Sequence, residues 1–182
     1  MSRFVTRTFL LTLFLSGYAI SSVMAQPEYV SHGGLEYNTN DWPCWRGARQ
    51  DGIADPDQKL PSSWSATKNV VWKTKVPGRG HGSPCVVGDR IYLATCDEGP
   101  KSQSVVCFER STGKKLWHTI VHKSGAMWKN KKGSAASSTV TCDGEQLYIN
   151  FPNSDALHTT SLNLDGKILW QQKVSDYVIH QG

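Results

Sequence analysis

Gly88-Asp89-Arg90-Ile91-Tyr92-Leu93 is echoed 56 residues later by Gly144-Glu145-Gln146-Leu147-Tyr148-Ile149, and this echo decides the fold. A second marker, Gly113-Lys114-Lys115-Leu116-Trp117, returns 53 residues later as Gly166-Lys167-Ile168-Leu169-Trp170. The difference between the offsets falls between the markers, where Cys96 to Gln103 makes a longer hairpin loop than its counterpart. The preceding strands also match, Ser83-Pro84-Cys85-Val86 against Ser138-Thr139-Val140-Thr141. Glycine opens the turn of each first marker, where a tight hairpin demands positive φ. Working outward, four short strands are expected in each copy: near 83–87, 90–96, 104–109 and 115–121, then near 137–142, 146–151, 158–163 and 168–174. No window carries the 3.6-residue apolar period of a helix. A four-strand unit copied at about 50 residues has the blade length of a β-propeller. A sandwich also uses short strands but has no need of internal copying.

The expected fold class is therefore all-β, a partial β-propeller of two four-stranded antiparallel blades (83–121 and 137–174) plus one orphan closing strand at 69–76. In that strand Val70-Val71-Trp72-Lys73 repeats the pattern of Leu116-Trp117-His118 and Leu169-Trp170-Gln171. In a closed ring, such an N-terminal strand completes the last blade. Trp72, Trp117 and Trp170 are each expected to end an outer strand and wedge it against a neighbouring blade, with Gly113 and Gly166 in the turns. Closed propellers have about four to eight blades. The chain holds two and stops at His180-Gln181-Gly182, where a new inner strand is due, so 69–182 reads as an incomplete propeller with uncovered edges.

Residues 26–68 are rich in Gly, Pro, Asp and Asn and lack periodicity. Trp42, Trp45 and Trp64 are too much apolar surface for a free tail, so an irregular but packed extension is expected. Residues 1–25 read as a signal peptide. Arg3 and Arg7 supply its positive end, Phe9 to Leu15 its apolar core, and Val23-Met24-Ala25 its cleavage site. Ser16, Gly17, Ser21 and Ser22 interrupt the run well short of the about 20 apolar residues of a membrane span. Cleavage, and no stable membrane insertion after it, is thus expected. The formal net charge is +5, of which the signal carries two. That is a solvated surface rather than the dense basic face of a nucleic-acid binder. Export permits disulfides, yet five cysteines leave at least one unpaired. No zinc-type spacing occurs among them. Buried sheet cysteines are the default expectation, and a cross-strand Cys96–Cys107 bridge is the alternative.

Thr112-Gly113-Lys114-Lys115-Leu116-Trp117 resembles the repeat signature of quinoprotein (PQQ-like) propellers, Ala-x-Asp-x-x-Thr-Gly-x-x-x-Trp. Cys107 and Glu109 stand at the Ala and Asp positions, and Ser161 and Asn163 do so in the second copy, with one residue fewer before Gly166. The series Trp42-Pro43-Cys44-Trp45-Arg46-Gly47, Asp51-Gly52-Ile53, Leu60-Pro61, Trp64 and Trp72-Lys73, followed by Gly78-Arg79-Gly80-His81-Gly82-Ser83-Pro84, is similar to the start of exported PQQ-like repeat proteins of planctomycete-type bacteria. The resemblance covers about residues 41–182. It implies a Trp packed between blades and a Thr-Gly turn joining the two outer strands.

Quinone dehydrogenases of this type carry adjacent cysteines over the quinone and a Glu/Asn/Asp set on calcium. The sequence has no Cys-Cys pair, so PQQ and calcium rest on the resemblance alone and no cofactor is expected. Arg79 and His81 precede an innermost strand and are candidate channel-facing residues for an anionic ligand, unless the glycines merely let the chain turn between blades. His122 and the loop Trp128-Lys129-Asn130-Lys131-Lys132 take the equivalent position one repeat later. No nucleophile elbow, phosphate loop or HExxH motif is present, and Asp55 and Asp57 only straddle a proline. The expected function is a non-catalytic exported module acting as a protein-interaction or assembly scaffold in the cell envelope. The same blade type serves as a scaffold in an outer-membrane assembly lipoprotein, whose lipid-attachment cysteine this chain lacks. The alternatives are a fragment of a quinone-dependent dehydrogenase and a carbohydrate-binding propeller.

Overall fold

The computed structural model describes residues 29–32, 35–128 and 130–178; the expected signal at 1–25 and the terminal His180-Gln181-Gly182 lie outside them. The chain is all-β, with no helix among the described residues. Strands β1 (Tyr29–His32) and β2 (Leu35–Asn38) form an antiparallel hairpin in the extension expected to be irregular. Then come β3 (Cys85–Val87), β4 (Arg90–Asp97), β5 (Ser102–Glu109) and β6 (Lys115–His122), a four-stranded sheet in sequence order. Strands β7 (Thr141–Cys142), β8 (Gln146–Asn153), β9 (Ala156–Asn163) and β10 (Ile168–Asp176) form a second sheet of the same order. All pairings are antiparallel, as the sequence echo requires of two blades.

The two sheets share one register. Cys85, Tyr92, Cys107 and Trp117 stand in a lateral row across the first, and Thr141, Tyr148, Ser161 and Trp170 across the second. Tyr and Trp sit two strands apart, so they touch only across a small side chain on the strand between. Cys107 and Ser161 supply it: the ring centroids of Tyr92 and Trp117 are 5.9 Å apart, and those of Tyr148 and Trp170 are 6.2 Å apart. The ladder slips by one residue before each tryptophan, at Leu116 and at Leu169. This bulge sets the aim of the indole. The tryptophans were expected to end their outer strands. Both stand instead at the third position, beside the turn, because the ladder continues past them to His122 and Asp176.

Between the blades, Trp117 lies over the turn of the second sheet. Its Nε1 donates to the Leu164 carbonyl at 3.0 Å, and Thr119 Oγ1 donates to the Gly166 carbonyl at 2.6 Å. The Arg90 guanidinium donates to the same Leu164 carbonyl and pairs with Asp165 at 3.0 Å. Gly166 has φ +84°, and a Cβ there would meet the Trp117 ring at 2.6 Å. Trp72 makes the same contact one blade earlier: Nε1 donates to the Arg110 carbonyl at 2.8 Å, and a Cβ on Gly113 would come within 2.4 Å of the ring. Arg110 and Leu164 each directly follow the third strand of a blade, so the two seats are equivalent. Residues 69–76 pair with no described strand, unlike the orphan strand expected there. A strand exists only beside a partner ladder, and this segment is held by its indole at a turn.

The inner edges are closed by the extension. Trp42 exchanges backbone hydrogen bonds with Val86 at 2.7 and 2.8 Å, Cys142 N donates to the Pro43 carbonyl at 2.9 Å, and Tyr37 Oη donates to the Cys142 carbonyl at 2.8 Å. Of its three tryptophans only Trp42 packs as expected, over Gly47; Trp45 and Trp64 stay more than 60% exposed. For Trp45 the reason is its neighbour, whose guanidinium carbon lies 5.6 Å from the ring centroid and holds it at the surface. All five cysteines are free. Cys96 faces Gln103 and Cys107 faces Tyr92, so the register sets Cys96 and Cys107 about 13 Å apart along the ladder, too far for the bridge held open as an alternative.

Most of the core is apolar, and its main polar cluster is one seam. Gln103, fully buried, donates to the carbonyls of Ala135 at 2.8 Å and Pro152 at 3.1 Å, and accepts from Asn153 Nδ2 at 3.0 Å. Beside it His122 of β6 meets His158 of β9, ring centroids 5.1 Å apart and edge-on, with Phe151 at 6.2 Å. The buried Nδ1 of His158 has no hydrogen-bond partner.

Two predictions follow from this packing. Gly166→Ala adds a methyl against the indole, costing about 1–3 kcal/mol of overpacking, on top of about 1–2 kcal/mol for a side chain at positive φ. Gly88, at φ +55° with open space around it, bears only the second cost, so urea unfolding should show the larger loss for Gly166→Ala. Burial, helped by His158, pushes the His122 imidazole down from 6.5 to about 4. Between those values the unfolded chain binds more protons, so stability falls as pH drops from 6.5 to 4. Thermal melts across that window should fall less steeply in His122→Gln.

Candidate functional site

Gly78-Arg79-Gly80-His81-Gly82-Ser83 runs between the two sheets with strand-like alternation. A Cβ at Gly78 would lie 2.3 Å from the Cys96 carbonyl, at Gly80 2.4 Å from that of Ala94, and at Gly82 2.2 Å from that of Ser138. Only glycine allows so close a backbone approach. Arg79 exchanges two backbone hydrogen bonds of 2.8 Å with Cys96 on the first blade, and His81 N donates at 2.9 Å to the carbonyl of Ala136, in the segment leading into the second. The glycines thus do more than let the chain turn: they dock it on both blades and project Arg79, His81 and Ser83.

These side chains diverge. Arg79 pairs with Glu98 at 3.1 Å and donates to the Lys131 carbonyl at 2.9 Å, so its charge is matched within the chain. His81 Nδ1 lies 2.9 Å from Ser134 Oγ, which fixes the ring. Ser83 N donates to Thr139 Oγ1 at 3.0 Å. His81 and Ser83 line an open cleft of about 410 Å³ with Trp45, Ser138, Thr139 and Asn150. Thr159 Oγ1 donates to Asn150 Oδ1 at 2.6 Å, turning the carboxamide so that its N–H₂ is left for a ligand. His122 is elsewhere, in the seam with His158. Of the three ligand residues singled out in the sequence, His81 lines this cleft, Arg79 is held by Glu98, and His122 lies in the seam.

Trp45, Thr139 and Asn150 carried no separate signal. Trp45 lies in the extension, and the other two belong to strand positions legible only as blade. Trp45 also borders a second cleft, of about 430 Å³, beneath the hairpin with Leu35, Tyr37 and Pro43. The thiols near it are inert. Burial pushes Cys142 up to about 11, and Cys44 and Cys85 also upward, so they stay protonated and weakly nucleophilic at neutral pH. Burial likewise pushes Tyr37 up to about 12.

The donor set does not suit the quinone and calcium of the dehydrogenases. No two cysteines are adjacent, and among the described residues no three His, Cys, Asp or Glu side chains converge on a metal-sized point. The chemistry on offer in the cleft is hydrogen bonding and aromatic stacking.

The comparison with protein families agrees with the blades. A family model described as outer membrane protein assembly factor BamB, of the PQQ-repeat type, matches residues 56–178, more than half of the chain and both blades in full. No curated protein matches the chain. Duplicated four-stranded sheets, a shared Tyr–small–Trp row, equivalent indole seats and this match together show that the chain belongs to the PQQ-like β-propeller repeat family.

Proposed function

We propose that this chain is an exported propeller module that works as a protein-interaction platform in the cell envelope. The observation that carries the reading is the family match, whose model is described as an outer membrane protein assembly factor. On β10, Trp170 has the tyrosine contact of Trp117 and stands at the same strand position, and no turn among the described residues seats it. Around it on β10 and just beyond, Leu169, Val174, Tyr177 and Val178 are exposed as well. An apolar face of this kind is stabilised when another sheet surface covers it. The covering surface, whether a further blade of the repeat or a separate partner, presents a glycine turn and a free carbonyl, the chemistry that Trp72 and Trp117 find within the chain. The platform needs neither quinone nor calcium.

Three outcomes are expected. A photo-crosslinker at Val174 in the full chain, expressed with its N-terminal segment, gives a discrete protein adduct in the envelope fraction, and Trp170→Ala removes it. No adduct, or one indifferent to Trp170→Ala, counts against the platform. Mass spectrometry of the exported protein finds Gln26 at its N-terminus; retention of residues 1–25 counts against a cleaved signal. Adding PQQ with calcium leaves the melting temperature unchanged, whereas a rise of several degrees speaks for the dehydrogenase alternative.

A further inference from the structure

We propose that the cleft at the inner edge of the second blade binds neutral carbohydrate, with the Trp45 indole as the stacking platform. Ser83, Ser138, Thr139 and Asn150 face the sugar hydroxyls, and His81 stands beside them. The inference goes beyond the interaction platform and rests on a different face of the molecule.

The first ground is the chemistry of the lining, which holds hydroxyls, a carboxamide, an imidazole and an indole but no Asp, Glu, Lys or Arg. Hydroxyl and amide groups both donate and accept, which matches a ligand whose own hydroxyls do both. Of the nearby cations, Arg79 is turned away to Glu98 and the Lys131 carbonyl, and Arg46 sits against the Trp45 ring and donates to the Asp51 carbonyl, so no fixed charge lies in the lining itself. The second ground is the indole. Trp45 is 63% exposed although the chain buries other aromatic rings, and Arg46 steadies it from one side. A broad exposed ring beside hydroxyls suits the C–H face of a pyranose, apolar on its face and polar at its rim. The third ground is preorganisation: Ser134 fixes His81, Ser83 N holds Thr139 and Thr159 holds Asn150, so little side-chain freedom remains to be lost on binding. A volume of about 410 Å³ falls within the small-molecule range. An extended peptide is a poorer fit, because the backbone N–H of Cys142 at this edge already donates to Pro43.

The test uses the full chain and three neutral probes, cellohexaose, chitohexaose and a β-1,3-linked glucose hexamer, with a sulfated hexasaccharide for comparison. Calorimetric titration with intrinsic fluorescence as a second readout should find saturable binding of at least one neutral hexamer. Trp45→Ala should weaken it about tenfold, and Asn150→Ala should weaken it severalfold. Trp64→Ala, which removes an equally exposed indole outside the cleft, should change nothing. Trp45 and Asn150 are both exposed, so neither substitution threatens the fold, and melting curves verify this. The proposal is overturned if no neutral hexamer binds up to about 1 mM, if Trp45→Ala binds as the parent does, or if the sulfated probe binds more tightly than the neutral ones.

Discussion

An indole laid over a glycine turn holds one blade to the next. Trp117 reaches across to a carbonyl that directly follows the third strand of the second blade, and the glycine two residues on has no side chain to keep the ring away. Each part of the repeat serves that contact. The bulge at Leu116 aims the ring, Cys107 is small enough for Tyr92 to back it, and the positive φ of Gly166 brings the turn beneath it. The hydrogen bond itself contributes only about 1 kcal/mol. Its larger effect is geometric, because a donor at a ring edge and a flat face over a turn leave one orientation for the neighbouring sheet.

Because the contact is the same for every blade, it was readable without a structure. The Gly and Trp markers, and the Tyr two residues into each second strand, recur because they occupy equivalent points of one row. The strands followed to within a few residues. The exceptions have a common cause. Residues 69–76 carry the apolar pattern of a strand but pair with no described ladder, and a sequence pattern reports the tendency to pair rather than the partner. The β1–β2 hairpin was missed because its strands are four residues each and carry no repeat.

The candidate site was less legible for a different reason. His81 was found because it stands between glycines just ahead of an inner strand. Arg79 shares those cues and is nonetheless consumed by Glu98, a partner 19 residues away. His122, expected in the equivalent linker one repeat later, is instead the last residue of β6, and its ring turns into the seam toward His158. Asn150 is polar because of where it stands on β8, next to Thr159, and no local pattern distinguishes it from any solvent-facing strand residue. The fold arises from repetition, which sequence displays, whereas a cleft arises from the few places where repetition is broken.

The alternating glycines at 78, 80 and 82 bear on how far the ring must turn. Gly78 and Gly80 meet main-chain carbonyls of β4 and Gly82 meets that of Ser138 just ahead of β7, so the segment lying between the two sheets is as thin as a polypeptide permits. Its thickness acts as a shim near the hub: any methyl group there would push the inner edges apart while the indole clamp held the outer edges fixed. The angle between successive sheets would then shrink, and a ring built from such sheets would need more of them to close. Three missing side chains thus help set the curvature of the assembly and, through it, the number of blades that fits around the axis.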